Sequence, residues 1–175
     1  MKKRWITLGA IAVLLLVLLA GFLVRRQSAY SHTFFALDTV VELRLYGNGA
    51  KEAAAAAETE VRRLEGLLSA TNAASDIYRI NHSAMGEPVK VSQETAEVLT
   101  LALDVSKKTN GCFDPTIAPL TNLWDIKNAT APPAQGEIER AMDCLGAANI
   151  EISGESVTRL SDAVQLDLGG IAKGY

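Results

Sequence analysis

The sequence predicts an α+β domain of mostly antiparallel strands and packed helices, preceded by one membrane-spanning helix. Three patterns indicate this: an unbroken apolar run near the N-terminus, long stretches with apolar residues at helical spacing, and short alternating segments bounded by turn residues. Long helices among hairpin-connected strands are typical of α+β architecture. We therefore expect a membrane segment with a short linker over residues 1–31 and a folded domain over residues 32–175.

The apolar run extends from Ile6 to Val24 without a charged residue and follows Lys2, Lys3 and Arg4. A helix of that length can cross the core of a bilayer. The run is longer than the apolar region of a cleaved signal peptide, and two arginines follow it, which favours an uncleaved signal anchor over a cleaved signal. Because a positively charged N-terminus stays in the cytoplasm, we expect the domain on the extracytoplasmic side of the cytoplasmic membrane.

Charge is distributed unevenly along the chain. Five of the 17 basic residues and none of the 20 acidic ones lie in the first 26 positions, which leaves the remainder at a formal charge of −8. An acidic surface repels phosphate backbones, so we expect no nucleic-acid partner, and an anionic ligand would need a local cation or metal ion. Cys112 and Cys144 permit one disulfide or two buried thiols, and the sequence has no Cys/His cluster with zinc-ligand spacing.

The first elements of the domain are a strand and a helix. Residues Thr33–Tyr46 alternate between apolar and polar side chains, which predicts one half-buried strand with Val41, Leu43 and Leu45 on its inner face. A glycine-containing turn then leads into Ala50–Leu68, where alanines and regularly spaced leucines predict a helix.

The remaining elements follow from caps, turns and periodicity. Ser92 is placed to cap a helix that runs through Lys108, and Gly146 ends a second helix that begins at Gly136. The other predicted elements are a short helix within Ser69–Asn81, an extended piece at Val89–Val91, and three strands at Ile150–Ile152, Val157–Leu160 and Val164–Leu168, of which the first two form a hairpin.

The most informative segment is the last one, which reads Asp167-Leu168-Gly169-Gly170-Ile171-Ala172-Lys173-Gly174-Tyr175. Glycines allow a backbone to approach an anion closely, and the start of a helix directs free N–H groups toward it, so the segment is an outline of a phosphate and metal site. Its spacing is neither a Walker A loop nor Gly-x-Gly-x-x-Gly. A tight strand-to-helix turn, with Asp167 accepting only backbone hydrogen bonds, is the alternative.

A second segment, Asn110–Leu120, follows a helix stop and contains Pro115 and Pro119. Gly111 permits a sharp reversal, and the prolines stiffen the chain after it, so the loop can present main-chain groups at fixed positions to a flat ligand. Alternatively, Asp114 caps a new helix that has Pro115 at its first position.

Taken together, four ordered motifs closely resemble the ApbE family of FAD:protein FMN transferases. The motifs are Ala36–Val40, Ser69–Asn81, Asn110–Trp124 and Asp167–Tyr175. The resemblance implies an ApbE-like, T-fold-like domain, located at the inner membrane, that binds FAD and Mg²⁺. It implies Mg²⁺-dependent transfer of the FMN moiety to a threonine or serine hydroxyl of an electron-transport flavoprotein subunit, with release of AMP.

Carried over by position, the resemblance implies a set of residues at the FAD site and one metal ligand. The residues implied to bind FAD are Leu37, Thr71, Cys112, Phe113, Asp114, Asp167, Gly169, Lys173 and Tyr175. The backbone carbonyl of Ala172 is the implied metal ligand. No residue of this chain is assigned as the catalytic acid or base.

The chain departs from the family pattern at two positions and in its length. Leu37-Asp38-Thr39 stands where the family commonly has Met-Gly-Thr, and Thr71 stands where it often has an aromatic residue. The family continues beyond the glycine segment with further aspartates and a histidine, so we expect this chain to be the N-terminal portion of a transferase, incomplete at its C-terminus and inactive by itself. A genuine short protein is the alternative.

Two other functions remain open at this point. An exported protein could bind or hydrolyse FAD without modifying a protein, and the Thr71 substitution favours keeping that alternative. A membrane-anchored interaction domain, in which the glycine segment is only a turn, is the other.

Overall fold

The computed structural model describes residues 11–21 and 29–175. Residues 11–21 are helical, and within the described ranges no helix combines the length and apolarity needed to cross a membrane. The two ends of the predicted span Ile6–Val24 lie outside the described residues. The chain divides into two compact units, Met1–Glu60 and Val61–Tyr175.

The first unit contains an antiparallel hairpin of β1 (Tyr30–Ala36) and β2 (Thr39–Leu45), with Ala36 paired to Thr39. The prediction of a single strand over Thr33–Tyr46 is therefore wrong. The connection is the two-residue turn Leu37–Asp38, whose φ angles are +52° and +56°. Because neither residue is glycine and the apolar alternation continues on both sides, the turn left no signal in the sequence.

The predicted alternation is confirmed within β2. Val41, Leu43 and Leu45 are partly buried, whereas the intervening Glu42 and Arg44 are exposed. Alternate side chains of a strand point to opposite faces, so the hairpin has one face that is partly covered and one that is open to solvent.

The first long helix, α1 (Ala50–Leu68), has the predicted bounds. In the first unit Ala54 is buried, and Glu58 pairs with His32 of β1. In the second unit Leu68 is buried at the end of the helix, with Leu67 partly buried beside it. The small side chain of Ala54 gives the alanine run a packing role in addition to its helix propensity.

The second unit contains a three-stranded antiparallel sheet in the order β3-β5-β4. Its elements in chain order are α2 (Asp76–Asn81), β3 (Pro88–Lys90), α3 (Gln93–Lys108), α4 (Ala118–Trp124), α5 (Gln135–Met142), β4 (Ile150–Ser153) and β5 (Ser156–Arg159). Single 3₁₀ turns occur at Ala147–Asn149 and Ala172–Gly174. The predicted hairpin of β4 and β5 is confirmed, with a two-residue connection between Ser153 and Ser156.

Two predictions for this unit need correction. Val164–Leu168 is not a regular strand, because its main chain bonds to side chains and loops and forms one isolated bridge, from Gln165 to Ile117. The helix predicted over Gly136–Leu145 is shorter and ends at Met142. The alternation of the predicted third strand persists, since its apolar residues are buried and Asp167 is not.

The core of the second unit joins α2, α3, the sheet and the 164–168 segment. Its largest fully buried side chains include Ile77, Ile80, Leu99, Leu166 and Leu168. Burying each of these contributes about 1.5–3 kcal/mol relative to exposure. Leu166 and Leu168 both belong to this core. Their packing therefore fixes the position of the main chain at Asp167, which lies between them.

The buried carboxylate of Asp76 joins the N-termini of α2 and α3. Ser75 and Ser92 cap α2 and α3 as N-caps. The Oδ2 atom of Asp76 accepts hydrogen bonds from Ser92 N, Ser92 Oγ and Thr95 Oγ1, each 2.8 Å long, and Oδ1 accepts from Arg79. Burial acts to raise the pKa of Asp76, but the hydrogen bonds from Ser92, Thr95 and Arg79 outweigh it and hold the pKa below its usual value.

Candidate functional site

The proline loop begins where α3 ends. Asn110 and Gly111 have φ angles of +52° and +78°, and they reverse the chain directly after the helix. Thr109 Oγ1 then accepts a 3.1 Å hydrogen bond from the main-chain N–H of Phe113. The reversal predicted at Gly111 is thus present, and it directs the next residues along the side of the core.

Asp114 organises the loop through one of its two oxygens. Its Oδ1 atom accepts from Thr116 N at 2.8 Å and from Thr116 Oγ1 at 2.6 Å. The Thr116 hydroxyl is fully buried and accepts a 2.9 Å hydrogen bond from Gly146 N, which ties the loop to the end of the α5 region. Within the described part of the chain, the hydrogen bonds of Asp114 use Oδ1, so its half-buried carboxylate has Oδ2 available for a ligand.

Asp114 does not cap α4, which was the alternative considered for this loop. The helix begins at Ala118 with Ile117 as its N-cap residue, and Pro119 lies in its first turn. Asp114 instead closes a tight turn onto Thr116. The helix begins three residues later than that alternative requires, and Pro115 and Thr116 are buried in the loop before it.

The proline loop and the terminal segment meet side by side. The N–H of Asp167 donates a 2.9 Å hydrogen bond to Pro115 O, and an isolated parallel β-bridge pairs Ile117 with Gln165. Thr121 Oγ1, in α4, donates to Asp167 Oδ2 at 2.9 Å. These contacts join two stretches about 50 residues apart in the chain into one structure.

The Asp167 carboxylate also shapes the glycine bend after it. Its Oδ1 atom accepts a 2.8 Å hydrogen bond from Gly169 N, which closes a turn of the Asx type. A Cβ atom on Gly169 would lie 3.1 Å from that oxygen, and one on Gly170 would lie 3.2 Å from Phe113 Cε2. Both glycines are therefore explained by close approach, Gly169 to the carboxylate and Gly170 to the aromatic ring of the proline loop.

The final turn places Ala172, Lys173 and Tyr175 beyond the bend. The N–H of Ala172 donates to Leu168 O at 2.8 Å, and Ala172 O accepts from Tyr175 N at 3.3 Å. Lys173 is exposed. The Tyr175 hydroxyl donates a 2.9 Å hydrogen bond to Glu97 Oε2 in α3, so its ring lies toward that helix.

The contact between Tyr175 and Glu97 changes the acidity of both groups. The hydrogen bond to Glu97 is the main cause that raises the pKa of Tyr175. The pKa of Glu97 is lowered, first by the hydrogen bond from Gln93 and then by the one from Tyr175. Both side chains are exposed, so the contact orients the end of the chain and adds little stability.

Two predicted site residues lie apart from this cluster in the chain. Leu37 belongs to the first unit, in the hairpin turn, and Asp38 beside it has a φ angle of +56°. That angle gives a physical reason for the glycine that the ApbE pattern commonly has at the position of Asp38. Thr71 is exposed in the loop after α1, where its N–H donates a 3.2 Å hydrogen bond to Ser69 Oγ.

The cysteines do not form the disulfide that the sequence permitted. Cys112 and Cys144 are both free; Cys112 is exposed on the proline loop, and Cys144 is half-buried. The exposed Cys112 differs from the buried thiol considered as the alternative. Residues 11–21 and 29–175 contain no group of three or more His, Cys, Asp or Glu side chains able to hold a metal ion.

Sequence reasoning gave no role to two residues that the structure brings to the site. Thr121 binds the Asp167 carboxylate, and Asn81 binds the main chain of Leu166. Both lie inside motifs that resemble the family. Their partners are 46 and 85 residues away along the chain, so no local pattern could have paired them.

The second unit is therefore an α+β domain in which a proline loop and a glycine bend are joined by hydrogen bonds beside the Asp114 carboxylate. The model of the ApbE family matches residues 37–175. The chain belongs to the ApbE family.

Individual relatives agree with this assignment. The chain is 31% identical over 150 residues to an FAD:protein FMN transferase of Klebsiella pneumoniae (strain 342), covering 83% of this chain and 47% of that protein. It is 29% identical over 162 residues to an FAD:protein FMN transferase of Treponema pallidum (strain Nichols), covering 86% and 45%. The chain thus spans less than half the length of these curated relatives.

Solved structures show the same fold. The ApbE protein of Thermotoga maritima aligns with a TM-score of 0.77 and 30% identity, over 85% of this chain and 50% of that one. The apo form of the Pseudomonas stutzeri flavinyl transferase ApbE aligns with a TM-score of 0.73 and 25% identity, over the same shares. The predicted α+β class with antiparallel strands and packed helices is confirmed.

Proposed function

We propose that this protein takes part in protein flavinylation. FAD is the substrate, its FMN moiety is transferred to a threonine or serine hydroxyl of an electron-transport flavoprotein subunit, and AMP is released. Membership of the ApbE family and the names of the relatives support the enzyme class, a flavin transferase. The observation that carries the proposal is the junction of the proline loop with the glycine bend through Asp167.

The geometry of that junction suits a ligand with a flat part and an anionic part. Phe113 presents a partly buried ring against Gly170, and glycines at 169 and 170 keep side chains away from the bend. An approaching phosphate would meet main chain there rather than side chains. We propose that the FAD site includes Phe113, Asp114, Asp167 and Gly169, with Cys112 and Lys173 at its exposed margin.

We propose that the Ala172 carbonyl and the Oδ2 atom of Asp114 would be protein ligands of Mg²⁺. Both are hard oxygen atoms, which Mg²⁺ prefers together with phosphate oxygens and water. When bound, the ion would neutralise charge on the pyrophosphate. The chain's own residues hold the bend in place: Asp167 is occupied by Thr121 and Gly169, so its role is to orient that bend.

We also propose a location for the activity. The apolar run Ile6–Val24 with its basic flank anchors the protein in the cytoplasmic membrane, and the domain faces the extracytoplasmic side. The acceptor subunits would then be reached on that side. Protease accessibility of the domain in spheroplasts, compared with intact and lysed cells, tests this orientation.

One observation supports a second candidate, an FAD-binding or FAD-hydrolysing protein without transferase activity. Thr71 is an exposed threonine within a local turn, at the position where the family often has an aromatic residue. A threonine cannot stack on a flavin or adenine ring, so the bound ligand is held differently at that edge. Such a change affects whether FAD is retained, hydrolysed or transferred.

Product analysis distinguishes these candidates. The full-length protein, of which we expect this chain to be the N-terminal portion, is incubated with FAD, Mg²⁺ and a candidate flavoprotein subunit, and the mass and in-gel fluorescence of the subunit are measured. Transfer gives covalent FMN on the subunit together with AMP, hydrolysis gives free FMN and AMP, and storage leaves FAD intact. If FAD with Mg²⁺ does not raise the melting temperature of the chain at all, the flavin-site proposal is wrong and an interaction domain is favoured.

A further inference from the structure

Asn81 forms an unusual contact for a side chain at the end of a helix. It is the last residue of α2 and is 7% exposed. Its Nδ2 donates to Leu166 O at 2.9 Å, and its Oδ1 accepts from Leu166 N at 2.7 Å. One carboxamide thus supplies both main-chain hydrogen bonds of a single residue, as a neighbouring strand would.

The Asn81 carboxamide takes the place of a neighbouring strand for the 164–168 segment. The 164–168 segment has no regular ladder, but Leu166 is fully buried, so its N–H and C=O need partners. The next residue is bonded to a different partner: the N–H of Asp167 donates to Pro115 O in the proline loop. Asn81 therefore holds the chain on one side immediately before the proline loop holds it on the other.

The position of Leu166 determines the direction of the Asp167 side chain. The Asp167 carboxylate reaches Thr121 Oγ1 with one oxygen and Gly169 N with the other. A rotation of the peptide planes at Leu166 would move both oxygens and, with them, the glycine bend packed on Phe113. Small displacements at such a junction change the geometry offered to a ligand.

We infer that Asn81 is a positioning residue for the flavin site. Acting through Leu166, it fixes Asp167 and the glycine bend against the proline loop, although it lies in the second motif and outside the two loops. This role rests on the proposed binding of FAD.

Two variants of the full chain test the role. Asn81→Leu keeps the same branched arrangement of heavy atoms, although it is larger, and cannot form either hydrogen bond. Asn81→Asp, which keeps the shape, can accept from Leu166 N but places an anionic oxygen against Leu166 O. The matched control is Thr95→Val, which removes another buried hydrogen bond, to Asp76, without touching the 164–168 segment.

Two readouts are used under conditions in which every variant is folded. The first is hydrogen exchange at the N–H groups of Leu166, Asp167 and Gly169. The second is the dissociation constant for FAD in the presence of Mg²⁺. We expect at least one Asn81 variant to exchange faster at these three positions and to bind FAD about tenfold more weakly, because the binding-competent arrangement is populated less. Thr95→Val is expected to leave both readouts close to wild type.

The outcomes distinguish failure of the positioning role of Asn81 from failure of the proposed function. If the wild type binds FAD and both Asn81 variants bind it equally well, the positioning role is overturned and the proposed function stands. If the weakening is the same in Thr95→Val, the effect is general destabilisation and the role is likewise rejected. If the wild type does not bind FAD, the proposed function fails, and the role fails with it even where exchange at Leu166 increases.

Discussion

Removing the buried carboxylate of Asp76 should destabilise the second unit strongly, and removing only its charge should do so weakly. The residue is 4% exposed, and its Oδ2 atom accepts all three hydrogen bonds from Ser92 and Thr95, while Oδ1 accepts only from Arg79. An asparagine can place its single carbonyl oxygen where Oδ2 lies. It then keeps the three bonds that join the starts of α2 and α3.

The expected loss of stability depends on which hydrogen-bonding partners of Asp76 each variant leaves buried without a bond. Asp76→Ala leaves the fully buried Thr95 hydroxyl without an acceptor for its proton, since its other contact is as acceptor from Ser92 Oγ, and it removes the bonds from Ser92 to Asp76; we therefore expect a loss of about 3–5 kcal/mol in the free energy of unfolding. Asp76→Asn loses the charge and the contact with the half-exposed Arg79, which costs about 1–2 kcal/mol. The larger loss is a sizeable part of the total stability of a domain.

The same network predicts a pH dependence. The folded-state pKa of Asp76 is held below its unfolded value, so its contribution is present above the unfolded pKa, about 4, and is lost as the pH falls through the folded value. The wild type should therefore lose stability on acidification from about pH 4, and the Asp76→Asn variant should lose less.

Urea unfolding followed by circular dichroism, at pH 7 and pH 3, measures both effects. Asp162→Asn is the control, because that aspartate is exposed and its variant should unfold like the wild type. The reasoning is refuted if Asp76→Ala unfolds within 1 kcal/mol of the wild type. Equal losses for Asp76→Ala and Asp76→Asn would show that the charge, rather than the three hydrogen bonds at Oδ2, provides the stability.

Three further predictions concern the site and the hairpin. Thr121→Val removes the hydrogen bond to Asp167 with little change in volume, and it should weaken FAD binding several-fold with a loss of about 1 kcal/mol in stability; unchanged affinity by titration would contradict the role given to that bond. Asp38→Gly relieves a φ angle of +56° and should stabilise the hairpin by about 0.5–1 kcal/mol, and a lower melting temperature would show that the side chain matters more than the turn. Tyr175→Phe should bring the pKa of Glu97 closer to its usual value, measured by carboxyl-carbon NMR titration; no change would show that the hydroxyl does not reach Glu97 in solution.

Local chemistry was enough to predict much of the fold. Ser92 was predicted as a helix cap and is one, and α1 has the bounds that its periodicity gave. The hairpin turn at Leu37–Asp38 was missed because neither residue is a glycine, the residue type that usually indicates a positive φ angle. The short helix α4 was foreseen only in the alternative for the proline loop, and with its start three residues too early, because seven residues with a proline in the first turn give little periodic signal.

The two segments of the candidate site were predicted from the sequence, but the contacts between them were not. The proline loop and the glycine bend were both identified, and Gly111 reverses the chain as expected. The contacts of Thr121 with Asp167 and of Phe113 with Gly170 connect residues about 50 positions apart. Neither has a local signature, because a hydroxyl or a ring in a loop can serve many partners.

The amino-acid sequence by itself determined the family, the capped helix α3 and the β4–β5 hairpin of the second unit, and the two segments that carry the site, because these depend on residue types and short spacings. Only the tertiary structure decided that 164–168 runs without a sheet partner, and that Asn81, Thr121 and Pro115 hold it in place. The physical reason is that buried main-chain groups must find partners wherever the core places them, and the core is assembled from side chains far apart along the chain.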